Sequence, residues 1–229
     1  MLLLDEIDYK MSLIILNSSL TVTITLQNWT PDNIGSLYDT LVKKGFTISQ
    51  LTATQQLQGM AVPIARKGTT TAFTIDNNTR RLIFQITNEI NSPNTNIKEV
   101  LDVLTEIGFP SQESIERIDI QGKITIKMQE GKASTLIPHI IKDEFSAKAD
   151  KIMGRETDVI GIRLSSKEMY KGGISKSPFL ILIEPLLTDD SDTKFLVQAT
   201  FSTNSHDTAL DFSKNLYKRL KELIEGINV

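Results

Sequence analysis

The chain has no cysteine and only two histidines among its 229 residues. The missing cysteines exclude disulfides, thiolate metal sites and cysteine nucleophiles. His139 and His206 stand alone, since neither has a second histidine near it at the spacing of a metal site. We therefore predict structural or surface roles for both histidines, and the composition indicates neither a metal nor a cofactor.

The chain also lacks an excess of charge of one sign and lacks long apolar runs. It has 25 basic and 28 acidic residues, a net charge of −3, which disfavours nucleic acid as a partner but leaves room for a local basic patch. No run approaches the ~20 apolar residues of a membrane span, and Met1–Glu6 lacks the basic residues of a signal peptide. We predict a cytoplasmic protein with no membrane association; Met1 and Met11 both stay open as native starts.

Motifs of known catalytic chemistry are missing from the sequence. It contains no G-x-S-x-G elbow, no H-E-x-x-H helix and no dinucleotide glycine fingerprint. The loop from Lys171 to Ser177 combines glycines with Lys171 and Lys176 and could contact an anion, but its spacing is not that of a P-loop. The acidic run Asp189–Asp192 lacks the glycine and distal glutamate of a calcium loop, so we predict a solvated turn. The sequence favours a protein that is not an enzyme.

Alternating and helical patterns divide the rest of the chain into two similar halves. Thr21–Leu26 alternates as a half-buried strand, a helix with Ile34 on its apolar stripe ends near Gly45, and three extended segments and a second helix follow. The order begins again with a strand over Ile118–Met128, which we predict to be bent or bulged at Gly122. A long last helix is predicted to begin after Ser205.

The predicted fold class is therefore α+β, with two pseudo-repeated strand–helix–three-strand–helix halves, antiparallel sheets and helices packed on one face. Residues 1–20 form an N-terminal segment that could include a strand. Residues 21–110 form the first half and residues 114–229 the second.

Two consecutive halves of this kind are similar to the TATA-binding-protein fold. The resemblance implies one saddle-shaped sheet with helices on its convex side. That family is basic and wedges base steps open with paired phenylalanines, features without a match here, so the resemblance is one of topology and does not transfer DNA binding. The matching segments are Thr21–Leu26, Ile34–Lys44, Leu57–Ile86, Ile97–Ile107 and, for the second half, Ile118–Ile227.

Two surfaces are candidates for contacts with a partner. Four basic residues at neighbouring turns could form an edge that binds nucleic acid or an acidic partner. Basic residues at strand ends also prevent edge-to-edge aggregation, and we favour this second role. The strand around Phe179–Ile183 is apolar on both faces, so a second subunit, the segment Leu13–Leu16 or a ligand is expected to cover it. The basic residues are Arg66, Lys67, Arg80 and Arg81; the predicted interface residues are Leu180, Leu182 and Leu196.

These observations leave three hypotheses for function. The first is a non-enzymatic interaction protein, a homodimer or the partner of another protein, that uses the apolar sheet of the second half. The second is a nucleic-acid-binding saddle protein. The third is a small-ligand binder or enzyme with a site between the halves.

Overall fold

A computed structural model describes residues 13–27, 33–49, 63–76, 79–87, 93–106, 115–129, 131–133, 151, 161–166, 178–186, 191–214 and 216–225. The strands are β1 (Leu13–Leu26), β2 (Thr47–Ile48), β3 (Pro63–Lys67), β4 (Thr71–Asp76), β5 (Arg81–Thr87), β6 (Ile115–Met128), β7 (Ile162–Ser165), β8 (Phe179–Pro185) and β9 (Lys194–Thr203). The helices are α1 (Asn33–Lys43), α2 (Pro93–Glu106), α3 (His206–Ser213) and α4 (Leu216–Glu225).

All nine strands belong to one antiparallel sheet, in the order β2-β3-β4-β5-β1-β6-β9-β8-β7. The two longest strands, β1 and β6, pair with each other at the centre from Leu13 opposite Met128 to Leu26 opposite Ile115. On each side of this central pair the remaining strands follow in the reverse of their order along the chain.

The predicted fold class was wrong. Strands dominate the described residues, and they form a single nine-stranded antiparallel sheet with few short helices, instead of two α+β halves of the predicted order. The physical reason is the pairing of β1 with β6, which joins strands about a hundred residues apart into one hydrogen-bonded ladder. The four helices of the described residues with given bounds are short, from 8 to 14 residues.

The sheet has a core face, whose side chains are buried, and an outer face on the opposite side. Alternation is clearest in β9, where every odd-numbered residue from Phe195 to Thr203 is buried and every even-numbered one is half-buried. Register carries the core face across the sheet, so that Val22, Ile120 and Phe201 lie in one row. Helices contribute buried side chains to the same core, among them Leu37, Leu41, Val100 and Leu220.

The C-terminal region is two helices, not the single long helix that was predicted. Ser205 caps α3 as predicted, because its side chain accepts a hydrogen bond from the Thr208 amide. The helix then ends at Ser213, since Lys214 adopts an extended conformation with ψ of 116°. The α4 helix starts at Leu216 and buries Leu216, Tyr217, Leu220 and Ile224.

None of the described helices is long and apolar enough to cross a membrane. The predicted location in the cytoplasm stays a prediction.

Candidate functional site

Among the described residues, the outer face of the sheet brings together a broad set of polar and charged side chains. Its members alternate with the buried residues of each strand, and the register aligns them in rows that run across the sheet. One central row consists of Gln85, Thr21, Gln121 and Thr200. The next row consists of Thr87, Ser19, Lys123, Gln198, Leu182 and Arg163.

On the described strands of this face, basic side chains outnumber acidic ones, although the whole chain has a net charge of −3. Register and burial place seven basic residues there, with three acidic ones among them. Most of the basic ones lie on the inner strands and on β7. The basic residues are Arg66, Arg81, Arg117, Lys123, Lys127, Arg163 and Lys194; the acidic ones are Asp76, Asp119 and Glu184.

Two of the three acidic side chains of the outer face, Asp76 and Asp119, accept hydrogen bonds from described residues. Asp119 accepts hydrogen bonds from Arg117 Nε at 2.8 Å and from Ser202 Oγ at 2.5 Å. Asp76 accepts one from the Thr79 amide at 3.3 Å. By contrast, the exposed Lys123 and Lys127 have no ion pair within the part of the chain that the structure describes, so they present net positive charge to solvent.

The spacing of these charges follows from strand geometry. Lys123 and Lys127 are four residues apart on β6, or about 13 Å along the strand. Arg163 lies in the row of Lys123 but three strands away, a separation of about 14 Å. The grooves of a nucleic-acid duplex are roughly 6 to 12 Å wide, so phosphates that flank a groove lie within reach of these three side chains.

Aromatic side chains are missing from the outer face of the described strands. Phe73 and Phe84 pack against each other on the core face with ring centroids 4.3 Å apart. Phe195 and Phe201 are buried in the core as well, and Phe179 lies opposite Phe201 in the same row. Proteins that bind single strands stack bases on aromatic rings, and the described outer face offers no such platform.

The predicted basic edge does not form one site. Arg66 lies exposed on the outer face, but Lys67 points to the core side, where its ammonium contacts Glu99. Arg80 lies in the β4–β5 turn at a φ of 54° and donates a hydrogen bond to the Gln27 carbonyl. Arg81 returns to the outer face opposite Thr25, and the described Arg81 Nε and Thr25 Oγ1 atoms are buried without hydrogen-bond partners.

The predicted interface leucines do lie on the outer face. Leu180, Leu182 and Leu196 are each half-buried there, beside Thr200, Gln198 and Glu184 in the register. The segment Leu13–Leu16, one of the three candidates for a cover, is instead the start of β1 and lies in the plane of the sheet.

Several predicted residues lie outside the described part of the chain: Lys171, Lys176, His139, Asp189 and Asp190. His206 is described, at the start of α3, where burial lowers its pKa and its Nε2 atom has no hydrogen-bond partner. Within the described residues, no group of three or more His, Asp or Glu side chains is arranged to hold a metal ion.

The predicted contact residues did not include the basic side chains of β6 and β7, which are Lys123, Lys127 and Arg163. A signal for β6 was present, because Asp119, Gln121, Lys123, Thr125 and Lys127 alternate with buried isoleucines in the sequence. Arg163 had no comparable signal, since its position beside Lys123 depends on the pairing of four separate strands.

In comparisons with known proteins, no family model matches the chain. No curated protein matches it either.

Proposed function

We propose that the protein binds duplex nucleic acid through the outer face of its sheet. The observation that carries this proposal is the excess of basic side chains on that face of a chain whose net charge is negative. Phosphate contacts supply most of the affinity of sequence-independent binding. They need exposed basic side chains, and not a positive net charge of the whole chain. Lys123, Lys127 and Arg163 contact phosphates, while the neutral row of Thr21, Gln85, Gln121 and Thr200 lies against the groove.

A duplex is favoured over a single strand for two reasons. The described outer face has no aromatic ring on which unpaired bases could stack. The exposed basic side chains of this face are spaced at about the width of a groove, which suits phosphates on the two strands of a duplex.

Binding of labelled DNA and RNA, double- and single-stranded, should be measured by fluorescence anisotropy across a salt series. We expect duplex binding that weakens linearly in a plot of log K against log salt, with a slope near −3 if three to four phosphates are neutralised. Single strands of the same length are expected to bind more weakly. Absence of duplex binding at ~50 mM salt, or binding insensitive to salt, would contradict the proposal.

We propose homodimerisation as a second candidate function, on the specific observation that Leu180, Leu182 and Leu196 lie half-buried on the outer face. A second copy would remove these side chains from water and would cover the neighbouring Arg163. The two candidate functions therefore compete for one face of the molecule.

Light scattering coupled to size exclusion tests the dimer. We expect a dimer at high protein concentration that dissociates in the Leu182→Glu variant, because a buried unpaired carboxylate disfavours the interface. A monomer at every concentration would exclude self-association and leave the outer face free for nucleic acid.

A further inference from the structure

A cavity of about 190 Å³ lies on the core side of the sheet, between α2 and the tip of the β3–β4 hairpin. Its floor is apolar and is made by Phe46, Phe84, Ile86 and Val100, each less than 5% exposed. A cavity on the order of 150 Å³ holds benzene in another protein, so this one has room for a branched aliphatic or small aromatic side chain.

One ion pair lines the mouth of this cavity. Lys67 Nζ lies 2.5 Å from Glu99 Oε1, and the two side chains are 43% and 33% exposed. The same ammonium lies 5.7 Å from the centre of the Phe46 ring. A half-exposed pair of this kind contributes little to stability, so exchange of its partners for those of a ligand costs little.

The charges at the mouth select the class of ligand. An anion would pair with Lys67 and leave the Glu99 carboxylate without its counter-charge. A cation would pair with Glu99 and leave the Lys67 ammonium without its counter-charge. A zwitterion satisfies both groups, because its carboxylate accepts from Lys67 while its ammonium donates to Glu99. The buried floor then takes up an apolar side chain attached to the same carbon.

We propose that this cavity binds a free α-amino acid with an apolar side chain. The site lies on the side of the sheet opposite to the outer face, so the inference is independent of the proposed binding of nucleic acid. Lys67 and Glu99 are the residues that recognise the head group, and Val100 and Phe84 contact the side chain.

Calorimetric titration with three probes tests the proposal. L-leucine carries both charges, 4-methylpentanoate lacks the ammonium, and 3-methylbutylamine lacks the carboxylate. We expect saturable binding of leucine and at least a tenfold weaker affinity for each of the two singly charged analogues. Equal binding of all three probes, or no saturable binding of leucine, would overturn the proposal.

Variants of the ion pair supply the second arm of the test. Lys67→Gln and Glu99→Gln should each weaken leucine binding at least tenfold while the unfolding midpoint changes little. The matched control is the neighbouring pair of Lys44 and Glu106, also 2.5 Å apart, which does not line the cavity. Lys44→Gln combined with Glu106→Gln should leave leucine binding unchanged, and a loss of equal size in this control would refute the assignment of the site.

Discussion

Replacement of Lys123, Lys127 and Arg163 by glutamine should weaken duplex binding by about 10²-fold at 0.1 M salt. Each of the three side chains neutralises one phosphate in the proposed complex, and each neutralised phosphate contributes about 0.9 to the salt slope. The slope should therefore fall in magnitude by about three. All three positions are exposed on the outer face, so glutamine removes the charge without a change in the core.

The matched control removes the same number of charges from the helices. Lys43, Lys98 and Lys214 are exposed and lie in or directly after α1, α2 and α3. Their triple replacement by glutamine changes the net charge equally but leaves the outer face intact. A loss of affinity as large as that of the first variant would mean that net charge, and not the outer face, governs binding.

The segregation of charge within the fold explains why net charge is a poor guide to this protein. Most of the described acidic residues lie on the helices, with Glu99, Asp102 and Glu106 along α2 alone. A hydrogen bond to Glu106 raises the pKa of Lys44 and keeps that ammonium engaged on the helix side of the molecule. A polyanion that approaches the described strands of the outer face therefore encounters more basic than acidic side chains, the acidic ones there being Asp76, Asp119 and Glu184.

Local patterns in the sequence predicted individual elements well. The predicted stop after the first helix coincides with Gly45, whose φ of 84° suits glycine. Ser205 caps α3 through a contact three residues away. These features depend on neighbours within a few residues, which is why the sequence reveals them.

Features that depend on distant pairing were not predictable in the same way. The predicted strand Thr21–Leu26 is only the end of β1, which begins at Leu13. The sequence did not predict the first part of the strand, because Asn17, Ser18 and Ser19 break the alternation. Pairing with β6 extends the strand through this polar stretch, with a shift in register between Ile15 and Asn17. That partner, β6, lies about a hundred residues away in the sequence, and the same pairing joins all the described strands into one sheet. The similarity to the TATA-binding-protein fold stays a prediction of topology.

The same limit applies to the candidate site. Alternation alone indicates that Lys123 and Lys127 share one face of β6. Only the strand order places Arg163 in the row of Lys123, three strands away, and Lys67 on the opposite side of the sheet. The leucines of the predicted interface were placed on the outer face by alternation within β8 and β9, a local signal that the register preserves.

Gly122 departs from its predicted role, and the departure leads to a prediction about stability. The ladder between β6 and β9 runs through Gly122 opposite Ala199 without a bulge. A Cβ atom at Gly122 would lie 2.8 Å from Leu216 Cδ2 and 3.5 Å from Tyr217 Cε1. The glycine is needed because α4 packs directly on the sheet at this point, and not because the strand bends there.

Gly122→Val is therefore expected to destabilise the protein by about 3 kcal/mol, and Gly122→Ala by about 1 to 2 kcal/mol. Leu216 is 3% exposed, so its Cδ2 atom must move into the surrounding core or α4 must move away from β6 when side-chain atoms are added at Gly122. Urea unfolding measures the change as a lower midpoint at an unchanged m-value.

Two further variants separate overpacking from other effects of valine. Gln121→Val introduces the same side chain on the exposed outer face of the same strand, where a change within about 0.5 kcal/mol is expected. Leu216→Ala makes room for the valine, so the double variant Gly122→Val with Leu216→Ala should lose at least ~1 kcal/mol less than the sum of the two single variants. Strict additivity would show that Gly122 and Leu216 do not interact, and a Gly122→Val protein as stable as the wild type would show that the valine is accommodated without overpacking.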